Sequence, residues 1–411
     1  MGFVLGLVLS RKNGKPLVVE ALANQFLKLL AEEEALAHFA VIQKYSDTRY
    51  YVSVIPIEEA ARFEQKKNEV YFSARTSSAG PGYHDYLAGL LDELISVEDL
   101  VVTEKPEHLD ETGYWVERDF LALQAEMSKY FHMVAQVVVD KTEGGVFDPI
   151  GIGVRPGVLP EGYANKVLTL RGPRDRSFFE LDGEAAEAFP WWDFALPPQA
   201  AFGIAEAILW AEYRWRPAIN AREQAILDGI SALIRIANED PRLEANRKLH
   251  TLDLAAACAT DAAPPSVTGM GYLKHNYRRG LTSGWRIRVP GYFISGTDEK
   301  TGGETFNEEG RTIWPVVVSP NMGGRGRPQY LEGKALLVSV VSKDVSYYAV
   351  LDEFESEGKH EHWLQGYAMA DQTWVSVSVF FKDIAMKQWA IDTLLSTELP
   401  HGDPNPAIIF Q

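Results

Sequence analysis

The spacing of apolar residues changes along this chain, and that change limits the folds available to it. In residues 1–170, an alternating run at 50–55 predicts a strand, whereas periods near 3.6 predict helices at 18–30 and 120–138. Residues 57–67 also fit a short helix. Strands interleaved with helices indicate a mixed α/β domain over the first 170 residues.

The middle of the chain changes to helices alone. Apolar stripes at 202–213, 221–237 and 243–257 predict three helices, which form a helical segment over residues 171–262 packed on the first domain. The last two resemble a helical hairpin of the tetratricopeptide type, although one pair does not make a repeat array. The stretch 261–267 contains two consecutive prolines and is the best candidate linker.

Beyond that linker the pattern is mostly β. Six alternating or apolar runs between residues 285 and 381 predict strands, and 383–395 predicts a closing helix. We therefore expect residues 271–411 to form an antiparallel sheet backed by a C-terminal helix. The predicted class of the whole chain is α+β.

The charge is unevenly distributed. The chain carries 57 acidic and 40 basic residues, a net charge of −17, and residues 271–411 account for only −3 of it. The remaining −14 falls on the first 270 residues, where a basic protein partner would dock. This balance argues against a general nucleic-acid binder and against attachment to anionic membranes, because both need clustered Lys and Arg.

A single cysteine, Cys258, excludes an intrachain disulfide and a cysteine-rich zinc site. The apolar stretch at residues 2–9 lacks the features of a signal peptide, and no run approaches the ~18 apolar residues of a membrane-spanning helix. We expect a cytoplasmic protein, and the sequence indicates no cofactor and no metal. The oligomeric state is left open.

The loop at residues 73–86 is the first candidate for chemistry. It follows a predicted strand, collects hydroxyl groups around Arg75, and enters a helix at residues 83–95 whose first turn holds His84. Arg75 and the amides at the start of the helix could hold an anion, and His84 could act as an acid or base oriented by Asp85 or Glu93. The alternative is an ordinary capped loop with a locally packed histidine.

The acidic stretch at residues 110–119 is the second candidate for chemistry. Its carboxylates, with Glu117 and Asp119 as the candidates, could bind a divalent cation or act as an acid/base pair. The spacing of a Ca²⁺ loop is absent, and Asp119 stands where an N-cap is expected before Phe120. A capped helix with a solvated acidic approach is the favoured interpretation.

Two weaker motifs lie in the C-terminal part. His360 and His362 would share one face of a strand and could support a metal, although a polar hairpin tip is the simpler explanation. The stretch 325–328 matches the core of an AT-hook, but it stands alone without flanking basic residues.

Aromatic and arginine residues cluster in two stretches of the helical segment. These types dominate binding hot spots, and they also fill a helical core. The candidates for a partner-binding groove are Trp191, Trp192, Tyr213, Arg214, Trp215 and Arg216. Core or domain interface is the favoured interpretation, and a groove for a partner is the alternative.

The C-terminal part resembles a known type of module. Residues 285–293, residues 310–314 and the hairpin into the last helix are similar to bacterial PsbP-like modules over roughly 283–397. The resemblance implies a binding scaffold without an active site, and some members act as chaperones for type VI secretion effectors. Residues 72–84 and 110–114 resemble uncharacterised bacterial proteins found near toxin and secretion genes.

Two functional hypotheses follow. The first is a non-enzymatic bacterial protein-binding protein, such as an immunity protein or an effector adaptor of a secreted toxin system, with a basic partner. The second is an enzyme that acts on an anionic substrate with Arg75 and His84, assisted by Glu117 or Asp119. The charge and the lack of a compact catalytic motif favour the first.

Overall fold

A computed structural model describes residues 2–103, 110–145, 147–154, 160–180, 185–243, 270–298, 302–308, 310–318, 331–341, 344–356, 359–370, 373–399 and 409–410. The chain divides into two compact units. Unit 1 comprises Met1–Pro156, Tyr163–Tyr272 and Ile408–Gln411, and unit 2 comprises Gly157–Gly162 and Leu273–Ala407. The predicted linker at 261–267, the helix predicted beyond Leu243, Cys258 and the stretch 325–328 lie outside the described residues.

Unit 1 begins with a six-stranded sheet whose neighbouring strands all run antiparallel, in the order β2-β3-β4-β5-β1-β6. Its strands are β1 Val4–Arg11, β2 Val41–Ser46, β3 Arg49–Ser53, β4 Ala61–Lys66, β5 Glu69–Arg75 and β6 Leu100–Val102. The helices around it are α1 Val19–Leu30, α2 Glu34–Ala37, α3 Pro81–Val97, α4 Tyr114–Glu117 and α5 Phe120–Lys141.

Helix α1 packs on one face of the six-stranded sheet and buries it. Its buried residues recur at helical spacing and bring Phe26 over the sheet, where the ring lies 5.3 Å from Phe63 and 5.8 Å from Phe72. Those two rings stand on β4 and β5 and lie 5.1 Å apart. Such edge-on aromatic packing fixes the register of the two strands as well as burying apolar surface.

The predicted short helix at 57–67 is wrong, because strand β4 occupies most of it. Ala61 and Phe63 are fully buried, and they alternate with the half-buried Arg62 and Glu64. This period-2 burial arises from pairing with β5, since Phe63 stands opposite Phe72. The pairing is not visible in the local spacing of the apolar residues.

The rest of unit 1 contains a small sheet and helices. The helices follow the predicted pattern, whereas Gly172–Arg174 is a short strand inside the segment predicted to be helical. The sheet order is β19-β7-β8-β9, formed by β7 Ile150–Ile152, β8 Val167–Thr169, β9 Gly172–Arg174 and β19 Ile409–Phe410. The helices are α6 Ser177–Glu180, α7 Ala185–Ala188, α8 Pro198–Ala211 and α9 Ala221–Ala237. Helix α9 has the bounds predicted for it.

Unit 2 is an antiparallel β structure with a closing helix. A hairpin joins β10 Asn276–Gly280 to β11 Arg286–Pro290, and a seven-stranded sheet runs in the order β12-β13-β14-β18-β17-β16-β15. Its strands are β12 Ile294–Thr297, β13 Glu304–Glu308, β14 Arg311–Val318, β15 Val338–Val340, β16 Ser346–Ser356, β17 Lys359–Met369 and β18 Trp374–Phe381.

The closing helix, α10 Lys387–Leu395, packs Ala390 and Leu394 into the core of unit 2. Gly366 on β17 allows this close approach, because a Cβ atom there would lie 2.7 Å from the side chain of Leu394. The α+β class and the C-terminal sheet with its helix are therefore confirmed. Among the described residues no helix is both long and apolar enough to cross a bilayer.

Candidate functional site

The aromatic candidates of the helical segment mostly belong to the core of unit 1. Trp191 is completely buried and Trp215 is 2% exposed. The indole of Trp191 lies 6.0 Å from the ring of Tyr83 and 5.2 Å from that of Tyr86, and its Nε1 donates to the carbonyl of Ala195. These indoles are satisfied and enclosed, so they present no surface to a partner.

The residues around Trp215 follow the same pattern. The buried Tyr213 donates its hydroxyl to the carbonyl of Arg216, and the guanidinium of Arg216 forms a forked ion pair with Glu223, at 2.5 and 3.0 Å. Arg214 lies 3.7 Å from the same carboxylate. Bidentate pairing in a largely buried setting fixes the start of α9 to the preceding loop.

Trp192 is the exception among these candidates. It is half-buried, its ring stacks on Phe189 at 5.8 Å with an interplanar angle of 19°, and it lines an open cleft of about 390 Å³. We call this the Trp192 cleft. Its lining residues are Arg171, Arg174, Ala186, Glu187, Phe189, Pro190, Trp192, Asp193, Gln199 and Ala200.

The segment 189–195 carries Trp192 and is held tightly on both sides. The amide of Gly82 donates to the carbonyl of Trp191 at 3.0 Å, and Gln124 of α5 donates to the carbonyl of Trp192 at 3.1 Å. A Cβ at Gly82 would lie 2.2 Å from the carbonyl oxygen of Asp193, and one at Gly203 would lie 2.2 Å from that of Pro190. Glycine at both helices therefore lets the segment approach their backbones.

Exposed apolar side chains stand on the same segment and around the start of α5. Leu121 is 75% exposed, Phe194 is 63% exposed and Val116 is 54% exposed. The rings of Phe120 and Phe194 meet at 5.6 Å, which joins α5 to the 189–195 segment. We call Val116, Phe120, Leu121 and Phe194 the docking patch, because isolated exposed apolar residues are ordinary but a cluster marks an interaction surface.

Exposed carboxylates neighbour the docking-patch residues in sequence. Glu117, Asp119 and Asp193 are exposed, and no ion pair engages any of them within the described part of the chain. Asp119 accepts a hydrogen bond from the amide of Ala122 at 3.1 Å and thus caps α5. Glu117, at the end of α4, and Asp119, at the start of α5, are therefore surface residues, and neither lines the Trp192 cleft.

His84 lies in a closed polar network. It is completely buried, its Nδ1 is 3.0 Å from Oγ1 of Thr76, and its Nε2 is 3.4 Å from Oγ1 of Thr112 and 3.6 Å from Oδ1 of Asp110. Burial lowers the pKa of His84 to about 4, although the carboxylate of Asp110 acts in the opposite direction. The imidazole is neutral at neutral pH and makes no contact with solvent.

The expected carboxylate partners of His84 were wrong. Asp110, which is 26 positions away in sequence and itself buried, takes the place predicted for Asp85 or Glu93. Asp85 instead accepts a hydrogen bond from the hydroxyl of Tyr114. Asp110 also accepts bonds from the amides of Thr112 and Trp115, so it joins α3 to the turn before α4.

Arg75 occupies a different environment. Its side chain is 16% exposed, its Nε donates to Oγ of Ser77 at 3.3 Å, and it lies 3.9 Å from the carboxylate of Glu59. The Trp192 cleft includes neither Arg75 nor His84.

Glu58 was missed by the sequence analysis, since nothing local distinguishes it from the exposed Glu59. Its carboxylate accepts the amides of Ser78 and Ala79 at 2.7 and 2.6 Å, and so ties the 73–80 loop to the loop after β3. Enclosure raises the pKa of Glu58 to about 7, against the lowering effect of those amides and of Arg75.

The raised pKa of Glu58 predicts a pH-dependent stability difference between the wild type and Glu58→Gln. The folded state holds a proton on Glu58 between pH ~4.5 and ~7 that the unfolded state releases, so the contribution of Glu58 to the free energy of unfolding falls as pH rises through this window. The variant does not titrate there and keeps an oxygen for both amides. We expect the variant to gain stability relative to the wild type from about pH 5 to about pH 8 in urea denaturation. An equal difference at both pH values contradicts the raised pKa.

His360 and His362 of unit 2 have different environments. Nδ1 of His362 lies 3.5 Å from the carboxylate of Glu353, and the ring stacks on Phe381 at 5.3 Å, whereas His360 is exposed. Within the described ranges no three His, Cys, Asp or Glu side chains converge as metal ligands would. Both histidines stand at the start of β17, beside its hairpin with β16, which fits the simpler explanation of a polar hairpin end.

No known protein family matches this sequence, and no curated protein matches it. Weak structural neighbours are a protein of Bacteroides thetaiotaomicron VPI-5482, 11% identical with a TM-score of 0.25, and the PsbP protein of the cyanobacterium Synechocystis sp. PCC 6803, 9% identical with a TM-score of 0.18.

The coverage of these neighbours is partial. The Bacteroides similarity covers 29% of this chain and 46% of the other, so this chain spans less than half of that protein's length. The cyanobacterial similarity covers 34% of this chain and all of the other. A PsbP-like protein is thus among the low-identity structural neighbours, and similarity of this extent assigns no activity to this chain.

Proposed function

We propose that this chain is a non-enzymatic protein-binding protein, and that unit 1 binds its partner through the docking patch. The proposal is carried by the exposure of Leu121, Phe194 and Val116, together with the ring contact between Phe120 and Phe194 that brings the 189–195 segment to the start of α5. Burying a side chain of this kind contributes about 1.5–3 kcal/mol, so covering the patch is a strong source of affinity. Trp115 and Arg118 stand beside it, with the guanidinium 4.2 Å from the indole, and supply the residue types of hot spots.

The charge around the docking patch indicates the chemistry of the partner. Glu117, Asp119 and Asp193 are exposed carboxylates on the same two segments of the chain as the docking patch. A partner with Lys or Arg around apolar side chains would complement both features. The net charge of the first 270 residues, −14, would steer such a partner toward unit 1 over longer distances.

Within this class we propose an immunity protein or an adaptor of a secreted toxin system, with a basic toxin or effector as the partner. Such proteins work by surface complementarity and need no reactive group. The resemblance of residues 283–397 to PsbP-like modules, some of which are effector chaperones, supports the same class. The enzyme alternative has less support, because His84 is completely buried and is separated from the Trp192 cleft.

The test starts from crosslinking in the cells that contain this protein, followed by purification of the crosslinked partner. We expect Leu121→Ser and Phe194→Ser each to weaken binding of that partner at least about tenfold, because each removes apolar surface from the centre of the interface. Glu117→Lys should lower the association rate more at low salt than at high salt. Affinity and rates are measured by surface plasmon resonance with purified proteins.

Val341→Ser is the matched control, because Val341 is 71% exposed and belongs to unit 2. The proposal requires this variant to bind the partner as the wild type does. Equal affinity of the docking-patch variants and the wild type rules out the patch. Recovery of no crosslinked protein at any salt concentration counts against protein binding itself.

A further inference from the structure

The Trp192 cleft is separate from the docking patch, although the 189–195 segment contributes to both. Its volume of about 390 Å³ lies at the lower end of the range for small-molecule sites, which is roughly 300–1,000 Å³. All of its lining residues belong to unit 1. A small ligand rather than a macromolecular segment fits a space of this size.

Two arginines line the cleft, and only one has a carboxylate partner within the described part of the chain. Arg171 donates to the carboxylate of Glu206 at 3.0 Å and to the carbonyl of Glu187 at 3.3 Å. The guanidinium of Arg174 instead lies 5.0 Å from the ring of Phe178, with no ion pair among the residues described. A planar guanidinium held on an aromatic ring is a prepared site for a carboxylate, which can accept two parallel hydrogen bonds.

The acidic lining residues restrict the ligand further. Glu187 and Asp193 are both exposed in the cleft lining, and neither takes part in an ion pair among the described residues. A phosphate dianion would meet two carboxylates with only one available guanidinium. A ligand that carries an ammonium group as well as a carboxylate complements both signs of charge.

The aromatic residues of the lining indicate which group of the ligand would contact Trp192. Phe189 covers one side of the Trp192 ring in a near-parallel stack. A ligand ring placed on the other side would extend this stack and bury apolar surface of the indole. An aromatic ring is therefore the group that uses this wall of the cleft.

We propose that the Trp192 cleft binds a small aromatic zwitterion, of the class of aromatic α-amino acids. Its carboxylate pairs with Arg174, its ammonium group faces Glu187 and Asp193, and its ring lies on Trp192. The proposal is independent of partner binding at the docking patch, because it concerns the protein alone.

The experiment compares four probes with the purified full-length protein by isothermal titration calorimetry and ligand-observed NMR. The probes are L-phenylalanine, 3-phenylpropionate without the ammonium group, phenethylamine without the carboxylate, and inorganic phosphate. We expect phenylalanine to bind most tightly and each truncated analogue to bind at least about tenfold more weakly, since each loses one charge-assisted contact. Phosphate should not displace phenylalanine.

The variant Arg174→Gln should weaken phenylalanine at least about tenfold, and it should leave the already weak binding of phenethylamine unchanged. Arg222→Gln, which removes an exposed arginine outside the cleft lining, is the matched control and should bind phenylalanine as the wild type does.

Four results overturn the proposal: no binding of phenylalanine to the wild type, equal affinity for phenylalanine and phenethylamine, displacement of phenylalanine by phosphate, or equal loss in both arginine variants. The comparison of probes uses the wild type only, so it remains decisive even if Arg174→Gln does not fold. No protein partner is present, so these outcomes are independent of the docking patch.

Discussion

Asp110→Ala is expected to lower the free energy of unfolding of unit 1 by about 4 kcal/mol, because a buried carboxylate that joins three segments is lost. Asp110 is 2% exposed and accepts hydrogen bonds from the hydroxyl of Thr112 at 2.7 Å and from the amides of Thr112 and Trp115 at 3.0 and 2.6 Å. Removal leaves two backbone donors without their acceptor and His84 without its carboxylate. Urea denaturation followed by circular dichroism measures the change.

Glu117→Ala is the control for the loss of a carboxylate in the same region. Glu117 is exposed, so its removal should change the free energy of unfolding by no more than about 0.5 kcal/mol. Asp110→Asn should fall between the two, because the amide oxygen can still accept while the amide nitrogen faces donors. A loss below about 1 kcal/mol for Asp110→Ala would mean that the network adds little stability.

Local features of the fold could be predicted from the sequence, whereas features that depend on distant pairing could not. The period of α9 and the cap of α5 by Asp119 are encoded within a few residues, and the structure has both. The stretch at 57–67 was misassigned because Ile57 and Ala61 have helical spacing. Pairing with β5 overrides this local pattern and makes Ala61–Lys66 a strand.

The candidate site shows the same limit at the level of side chains. Trp191 and Trp192 are adjacent, yet the first is completely buried and the second lines a cleft. The aromatic composition of this stretch makes both residues candidates for binding. Only the packing of the 189–195 segment determines which of the two is buried and which lines the cleft. The carboxylate beside His84 likewise belongs to a distant residue, Asp110, which is 26 positions away in sequence. Helical spacing within α3 could not predict this pair.

Gly203→Ala should destabilise unit 1 by about 3 kcal/mol, because an added methyl group would meet the backbone of the segment that carries Trp192 and Phe194. The new Cβ would lie 2.2 Å from the carbonyl oxygen of Pro190 and 3.0 Å from its carbonyl carbon. Backbone atoms cannot rotate away as a flexible side chain can, so the 189–195 segment must move from α8. Urea denaturation measures the loss of stability, and partner and phenylalanine binding report the displacement.

Gly89→Ala is the matched control, because it makes the same substitution in α3 where the added Cβ has nothing within 4 Å. Alanine is favoured over glycine inside a helix by about 1 kcal/mol, so this variant should gain stability. The same preference acts at position 203, and the clash must exceed it for the predicted loss to appear. If both variants are stabilised, the segment adapts without cost, and close packing against Gly203 does not set the position of Trp192 and Phe194. If only Gly203→Ala loses stability together with binding at the cleft and the docking patch, one glycine in α8 positions both surfaces.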